Sequence, residues 1–157
     1  MRRLFIIRKD LHLSAGKLAA MVAHCAEAYW TRLLSAKLNH VLVFDKASNS
    51  MIQAKDYSAQ LTLDGDIVDN YINASFTKTI CEARNLNQLQ KVEQYANEHN
   101  LVKNVDWGYI DDNCWTELTP DITGDDGVPR CRVGVWFKPL PDDISHAISG
   151  HYKLYHD

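Results

Sequence analysis

The sequence predicts a single α/β domain in which helices cover a sheet that is built largely from parallel crossovers. Strand-like and helix-like segments follow one another in the order strand, helix, insert, strand, helix, strand, strand, helix, and such alternation is typical of a layered α/β domain. The chain has 157 residues, enough to bury a core without disulfides or metals. It contains no internal repeat, linker or low-complexity stretch, so we expect no second domain.

The first two elements have the clearest patterns. Residues 4–7 form a short continuous apolar run, which is typical of a strand buried on both faces. From residue 15 to about residue 37 the chain is rich in Ala and Leu and lacks Pro, and apolar residues such as Leu18 and Val22 recur at helical spacing. Ser14 is the expected N-cap of this long helix.

The remaining elements are assigned from shorter patterns. Residues 41–44 are either a strand or part of a connection, and residues 45–74 form an inserted loop or a small hairpin that turns at Asp64 and Gly65. We expect strands at 76–81, 102–110 and 130–137, a helix from Asn85 or Asn87 to about His99, a turn-rich solvated loop at 121–129, and a last helix from Asp142 or Asp143 to about Ser149.

The start of the long helix carries the first candidate chemistry. Lys17, Met21 and His24 are spaced by four and three residues, so they share one helix face. Lys17 follows Gly16 in the first turn, where its charge would add to the helix N-terminus and favour an anion or oxyanion. The alternative interpretation is a solvated lysine and a core histidine that is bonded to a carbonyl group.

A second candidate lies after the third main strand. Asp112, with Thr116 four residues later, could supply a carboxylate and a hydroxyl group to the same crevice. Sites in open α/β sheets form where strands end, and the Lys17 loop and Asp112 both follow strands. Asp-Asp-Asn is also ordinary turn composition, so a purely structural turn stays open.

Several classes of protein are disfavoured. The chain lacks the phosphate-loop pattern GxxxxGK[ST] and the nucleophile elbow GxSxG. His151 and His156 have no acidic or cysteine partner at metal-ligand spacing, so we predict no metal site. Four scattered cysteines, no signal peptide and no apolar stretch of spanning length predict a soluble cytoplasmic protein without a membrane partner.

Three segments resemble the type-2 peptidyl-tRNA hydrolases, the archaeal and eukaryotic class. The opening "RRLFIIRKDLHLSAGKLAAMVAH" is similar to a strand "vvvRtDLkM" followed by "GKiAAQvAHA". The segment "YIDDNCWTELTP" resembles "iRDAGrTqiepg", and the end "FKPLPDDISHAISGHYKLYHD" resembles "GpaPeelidkvTGhLkLl". The segments occur in the family's order over nearly the whole chain, and residues 45 to 74 lie outside the match.

The resemblance implies a fold and a reaction. It implies a mixed, mostly parallel four-stranded sheet flanked by helices, in one domain over residues 1–157 with an insertion at about 45–74. The implied activity is that of a carboxylic ester hydrolase, which cleaves the ester between a peptide, or an N-blocked aminoacyl group, and tRNA, without a cofactor. The implied catalytic residues are Lys17, His24, Asp112 and Thr116.

Substrate contacts and partners follow from the same resemblance. The residues expected to bind substrate are Gly16, Arg8, Lys9 and Met21. A net charge of −3 means that tRNA needs a local basic patch, which we expect from Arg2, Arg3, Arg8, Lys9, Lys17, Arg130 and Arg132. The expected partner is peptidyl-tRNA or another acyl-tRNA, and a homodimer stays open.

A second function is also compatible with the sequence. The family usually has Gln at the position of Met21, Arg in place of Asp111, and Gly in place of Lys138. These changes remove polar or basic groups from the expected RNA site. The alternative is therefore a non-catalytic member of the fold that binds protein or RNA through the insertion.

Overall fold

The computed structural model describes residues 1–156, so the predicted domain boundary at residue 157 lies outside the described residues. The strands are β1 Arg2–Arg8, β2 Asn39–Asp45, β3 Ser50–Ser58, β4 Thr77–Ala83, β5 Trp107–Asp112, β6 Ile122–Thr123, β7 Pro129–Phe137 and β8 Lys153–Leu154. The helices are α1 Ala15–Ser35, α2 Gly65–Ile67, which continues as a π-helix over Val68–Ser75, α3 Leu86–Gln90, α4 Val92–Glu98 and α5 Asp142–Ser149.

The main sheet has the strand order β5-β7-β1-β4-β8, and β6 pairs with the start of β7. The α/β class and the mixed sheet flanked by helices are confirmed. The expectation of a mostly parallel, four-stranded sheet is wrong, because only β1 and β4 pair in parallel and six strands take part. After β4 the chain passes to the opposite edge of the sheet, where β5 pairs with β7 and not with β4. The connection from β1 to β4 is therefore the only crossover in the described chain that gives a parallel pair.

The core lies on both faces of this sheet. Along β1, Leu4 and Ile6 contact the layer that contains α3, α4 and α5, whereas Phe5 and Ile7 contact the layer of α1. Alternate side chains of a strand point to opposite faces, so a strand covered on both faces is continuously apolar. The prediction of a doubly buried first strand is confirmed.

Helix α1 begins where its sequence predicts, but Leu18 and Val22, whose spacing predicted the helix, are only partly buried. The Ser14 hydroxyl accepts a hydrogen bond from Lys17 N at 3.3 Å and caps the first turn. Met21, Cys25 and Tyr29 recur every four residues and are the buried residues of the helix. Lys17 lies one turn before Met21, at the start of this stripe and partly buried, whereas His24 lies beside the stripe and is exposed.

A buried arginine joins α1 to the sheet. Arg3 is 1% exposed, and its Nε donates to Phe137 O at 3.1 Å while Nη2 donates to Cys25 O at 2.9 Å. Nη1 donates to Ala26 O. Burial lowers the pKa of the Arg3 guanidinium. The expectation that Arg3 contacts RNA is wrong, since its side chain lies between the helix and the sheet.

Residues 39–58 form a hairpin of their own. Strands β2 and β3 pair with each other and make a separate two-stranded sheet. The turn lies at residues 46–49, with Asn49 at φ 53°, and not at Asp64 and Gly65 as predicted. Asp64 instead accepts a hydrogen bond from Asp66 N and caps α2, a role that the same short polar side chain fulfils equally well.

The hairpin exposes apolar residues on both faces. Phe44 pairs with Met51 on one face and both are 56% exposed, while Val43 pairs with Ile52 on the other, with exposures of 42% and 44%. A two-stranded hairpin alone is marginally stable in water.

Within residues 1–156, none of the helices has the length and apolar composition needed to span a membrane.

Three other boundaries differ from the prediction. The single helix expected between Asn85 and His99 is interrupted at Lys91 and forms α3 and α4. The strand expected from residue 102 begins at Trp107, because Asp106 accepts a hydrogen bond from Val102 N at 2.7 Å and holds the preceding residues in a turn. The loop at 121–129 contains the short strand β6.

Strands β7 and β1 approach each other closely at Gly134, where there is no room for a side chain. A Cβ atom at Gly134 would lie 2.7 Å from Ile7 Cδ1 and 2.9 Å from the main-chain oxygen of Ile6. We expect Gly134→Ala to lower the free energy of unfolding by about 1–3 kcal/mol through overpacking, measured by urea denaturation. Gly65→Ala is the matched control, because a Cβ atom at Gly65 would have no neighbour within 4 Å. Equal effects of the two substitutions would contradict this account.

Candidate active site

The first turn of α1 and the end of β5 meet through an ion pair. Lys17 Nζ donates to Asp112 Oδ2 at 2.6 Å and lies 3.3 Å from Thr116 Oγ1. The Lys17 and Asp112 side chains are only 14% and 12% exposed. The structure thus brings together three of the four residues predicted to be catalytic.

The loop after β5 holds this arrangement in place. Asp112 Oδ1 accepts a hydrogen bond from Cys114 N at 2.8 Å, and Cys114 has a φ of 59°. Glu117 accepts a hydrogen bond from Ser14 Oγ at 2.8 Å, which ties the same loop to the N-cap of α1. Two contacts therefore join the start of α1 to this loop, Lys17 with Asp112 and Ser14 with Glu117. The residues in each pair are about a hundred positions apart in the chain.

The Cys114 thiol lies close to the ion pair. Its Sγ is 3.4 Å from the main-chain oxygen of Asp112. Burial raises the pKa of this thiol, and the charge of Asp112 raises it further. Because nucleophilic cysteines need a lowered pKa, the arrangement does not favour a thiolate mechanism.

A cleft of about 550 Å³ opens beside the ion pair. His24 from α1 and Asp112 from β5 both line it, so the fourth predicted catalytic residue lies on the same cleft. His24 is exposed, whereas Met21 is 2% exposed and forms part of the cleft floor. The other lining residues are Glu27, Ala28, Thr31, Arg32, Tyr109, Ile110, Asp111, Asn113 and Trp136.

The other residues predicted to bind substrate lie apart from the cleft. Arg8 is 5% exposed and pairs with Asp10 at 2.8 Å and with Asp121. These two carboxylates raise the Arg8 pKa. Lys9 Nζ lies over the Tyr155 ring and donates to His156 O, beside the C-terminal end of β4. The space beside Gly16 is open.

The basic residues near β7 are paired with acidic groups. Arg132 binds Asp111 with two hydrogen bonds of 2.9 and 3.0 Å, and its guanidinium lies 3.8 Å from the Tyr109 ring centroid. Arg130 binds Asp126 and lowers the pKa of that carboxyl to about 2. The positive charges of these two arginines, which were expected to contact RNA, are therefore balanced by neighbouring carboxylates.

Several residues at the site were not identified from the sequence. Extension of the Lys17–Met21–His24 stripe by further steps of three or four residues reaches Ala28 and Thr31, so helical periodicity alone could have identified them. No sequence signal links Glu117 to Ser14, because their contact is between distant segments. Within residues 1–156 no group of three His, Cys, Asp or Glu residues could hold a metal ion.

The arrangement can perform acyl-transfer chemistry. An ammonium group and a hydroxyl group at one point can bind the oxygen of a carbonyl group as it becomes negatively charged. A carboxylate and an imidazole on the adjoining cleft are groups that accept a proton from water. The site therefore combines donors for an oxyanion with candidate bases.

The contribution of the Lys17–Asp112 ion pair to stability can be measured without a substrate. A double-mutant cycle with Lys17→Met and Asp112→Asn should give a coupling free energy of about 1 kcal/mol, because the pair is mostly shielded from water. The exposed Lys103–Glu93 pair, at 2.9 Å with exposures of 47% and 48%, is the control and should give about 0.5 kcal/mol or less. Coupling no larger than this control would show that the Lys17–Asp112 contact contributes little.

Comparison with known proteins gives one family match. No sequence among curated proteins matches the chain at a significant level. Residues 1–155 match the profile of the family described as peptidyl-tRNA hydrolase PTH2. The match spans both sides of the cleft, from the α1 residues Lys17 and His24 to the loop of Asp112 and Thr116, and the chain belongs to the peptidyl-tRNA hydrolase PTH2 family.

Proposed function

We propose that the protein hydrolyses the ester bond between a peptide, or an N-blocked aminoacyl group, and tRNA, and so returns tRNA to translation. The observation that carries this proposal is the contact of Lys17 with Asp112 and Thr116 at the edge of the cleft that His24 lines. The family match supports the reaction class. The four free cysteines support a reducing compartment such as the cytoplasm.

Lys17 and Thr116 are the proposed donors to the ester carbonyl. When the Thr116 oxygen accepts a hydrogen bond from Lys17 Nζ, its own proton is free to point elsewhere. The ammonium group and this hydroxyl group then both face the oxygen that becomes negative in the tetrahedral intermediate. The N-terminal end of α1 adds a favourable partial charge in the same direction.

His24 is the proposed base, and Asp112 is the proposed orienting group. Both Asp112 oxygens already accept hydrogen bonds, from Lys17 Nζ and Cys114 N, which suits a group that holds others in position. His24 is exposed on the cleft wall, where its imidazole is placed to accept a proton from an attacking water. Water attacks the ester carbonyl and gives a proton to the His24 imidazole. The bond to the ribose oxygen of tRNA then breaks, and the imidazolium returns this proton to the leaving oxygen.

The other predicted residues have lesser roles in this proposal. Gly16 leaves space for the substrate at the helix start, and Met21 closes the cleft floor. Arg8 orients the loop through Asp10 and Asp121 instead of binding RNA. The Lys9 ammonium group is held by His156 O and Glu82 beside β4 and does not line the cleft. We further propose one domain with an insertion that contains the hairpin.

A second candidate function rests on the hairpin. Its exposed apolar residues on both faces, such as Phe44 and Ile52, favour a non-catalytic protein that binds a protein or RNA partner there. This candidate predicts that folded protein releases no tRNA from an acyl-tRNA even at low salt, where RNA binding is strongest. Turnover that depends on Lys17 would exclude it.

Lys17→Ala and Asp112→Asn test the hydrolase directly. Each should lower kcat/KM by about 100-fold or more, because each removes or misplaces an oxyanion donor. The assay is release of free tRNA from labelled N-acetyl-aminoacyl-tRNA, and circular dichroism establishes that each variant is folded.

Lys91→Ala is the matched control, since Lys91 is exposed at the junction of α3 and α4 and does not line the cleft. It should retain the activity of the unmodified protein. If Lys17→Ala folds and keeps full turnover, the proposed role of the ion pair is wrong.

A further inference from the structure

The site loop carries an unusually exposed tryptophan. Trp115 is 87% exposed, whereas Trp107 and Trp136 are 1% and 0% exposed. Exposure of a large aromatic ring to water forfeits the free energy that its burial would contribute. Trp115 is the most exposed of the large hydrophobic residues in the described chain.

The position of Trp115 is set by the site itself. It lies between Cys114, whose main-chain N–H binds Asp112, and Thr116, whose hydroxyl contacts Lys17 Nζ. The residues on both sides are therefore held by the ion pair, and the Trp115 ring is exposed to solvent directly before Thr116 in the chain. A ligand at Lys17 and Thr116 would reach Trp115 with the group next to its ester.

We propose that Trp115 is the stacking platform for the 3′-terminal adenine of tRNA. This inference rests on the proposed function and names the part of the substrate that the site recognises. The ester to be cleaved is attached to the ribose that carries this adenine, so the base follows the ester directly. An aromatic ring stacks on the face of a base without the need for hydrogen bonds.

Electrostatics favours the base over the phosphates as the recognised group. Arg130 and Arg132 are bound to Asp126 and Asp111, and Glu117 follows Thr116 directly. The site therefore offers few unpaired cations for phosphate neutralisation, on which RNA affinity usually depends. Stacking supplies affinity that does not require positive charge.

The same reasoning favours the base over the acyl group. The terminal adenine is common to all tRNAs, whereas the peptide varies, and one fixed ring suits a constant partner. The cleft beside His24 offers mixed polar and apolar walls with space of about 550 Å³, which accommodates varied acyl groups.

Kinetics of Trp115 variants provide the first test. Trp115→Ala should raise KM for N-acetyl-aminoacyl-tRNA by about 5- to 150-fold with little change in kcat, the range expected for loss of one stacked base. Trp115→Phe should restore most of the affinity. Phe76→Ala, which removes an exposed aromatic ring directly before β4 and outside the hairpin, is the control and should leave KM unchanged.

Binding of deacylated RNA provides a second test that does not depend on hydrolysis. An RNA minihelix that ends in CCA should bind more tightly than one that ends in CC, and Trp115→Ala should abolish this difference. Stacking should also quench the fluorescence of the exposed tryptophan, and this quenching should be lost in Trp115→Phe although binding persists.

The outcomes separate this inference from the proposed function. Hydrolysis with an unchanged KM in Trp115→Ala, or equal binding of the CCA and CC ends, overturns the stacking role alone. A Trp115→Ala effect that varies with the acyl group but not with the terminal base also overturns it. Trp115-dependent preference for CCA without turnover supports the stacking role and overturns the hydrolase, whereas failure to bind either minihelix overturns the stacking role.

Discussion

The buried guanidinium of Arg3 is the constraint on which the arrangement of the site depends. All three of its hydrogen bonds end on main-chain carbonyl oxygens, two in α1 and one at the end of β7. Desolvation of such a charge is costly, and the three hydrogen bonds offset part of this cost. Because they have fixed directions, all three can form only when α1 lies in one position on the sheet. The guanidinium therefore sets where α1 lies across the sheet, and with it where Lys17 and His24 lie relative to β5.

One carboxylate then organises the chemistry at the other end of α1. Asp112 binds the Lys17 ammonium group, accepts the main-chain N–H of Cys114 and forms part of the cleft wall. Its loop also reaches Ser14 through Glu117. Because the Lys17 and Cys114 contacts share this one carboxylate, Lys17 and the turn before Trp115 are fixed relative to each other, and this favours the preorganisation that the proposed catalysis requires.

The distribution of charge explains how an acidic chain could act on RNA. Most of the arginines expected to bind phosphate are buried or paired with a carboxylate, as Arg8, Arg130 and Arg132 show. A site of this kind gains little from the release of counterions. In the proposed function, binding depends instead on contacts with the end of the substrate, which are short in range and specific.

Much of the local structure could be predicted because its causes are local. The continuous apolar run that forms β1, the cap at Ser14 and the helical spacing that predicts α1 each depend on neighbouring residues, and these two elements and the cap are confirmed. The family resemblance, carried by three ordered motifs, is confirmed as well. The position of the hairpin turn was not predictable in the same way, since Asp64 and Gly65 suit either a turn or a helix start.

The sequence by itself determined the α/β class, the first strand, the long helix and the residues from which a site could be built. Only the tertiary structure decided that β5 pairs with β7 and that Lys17 meets Asp112 at 2.6 Å. It also decided that Arg3 is buried in the core. The physical reason is that helical and strand periodicity arise from neighbouring residues, whereas strand partners, ion pairs and the burial of a charge depend on segments that meet only when the chain has folded.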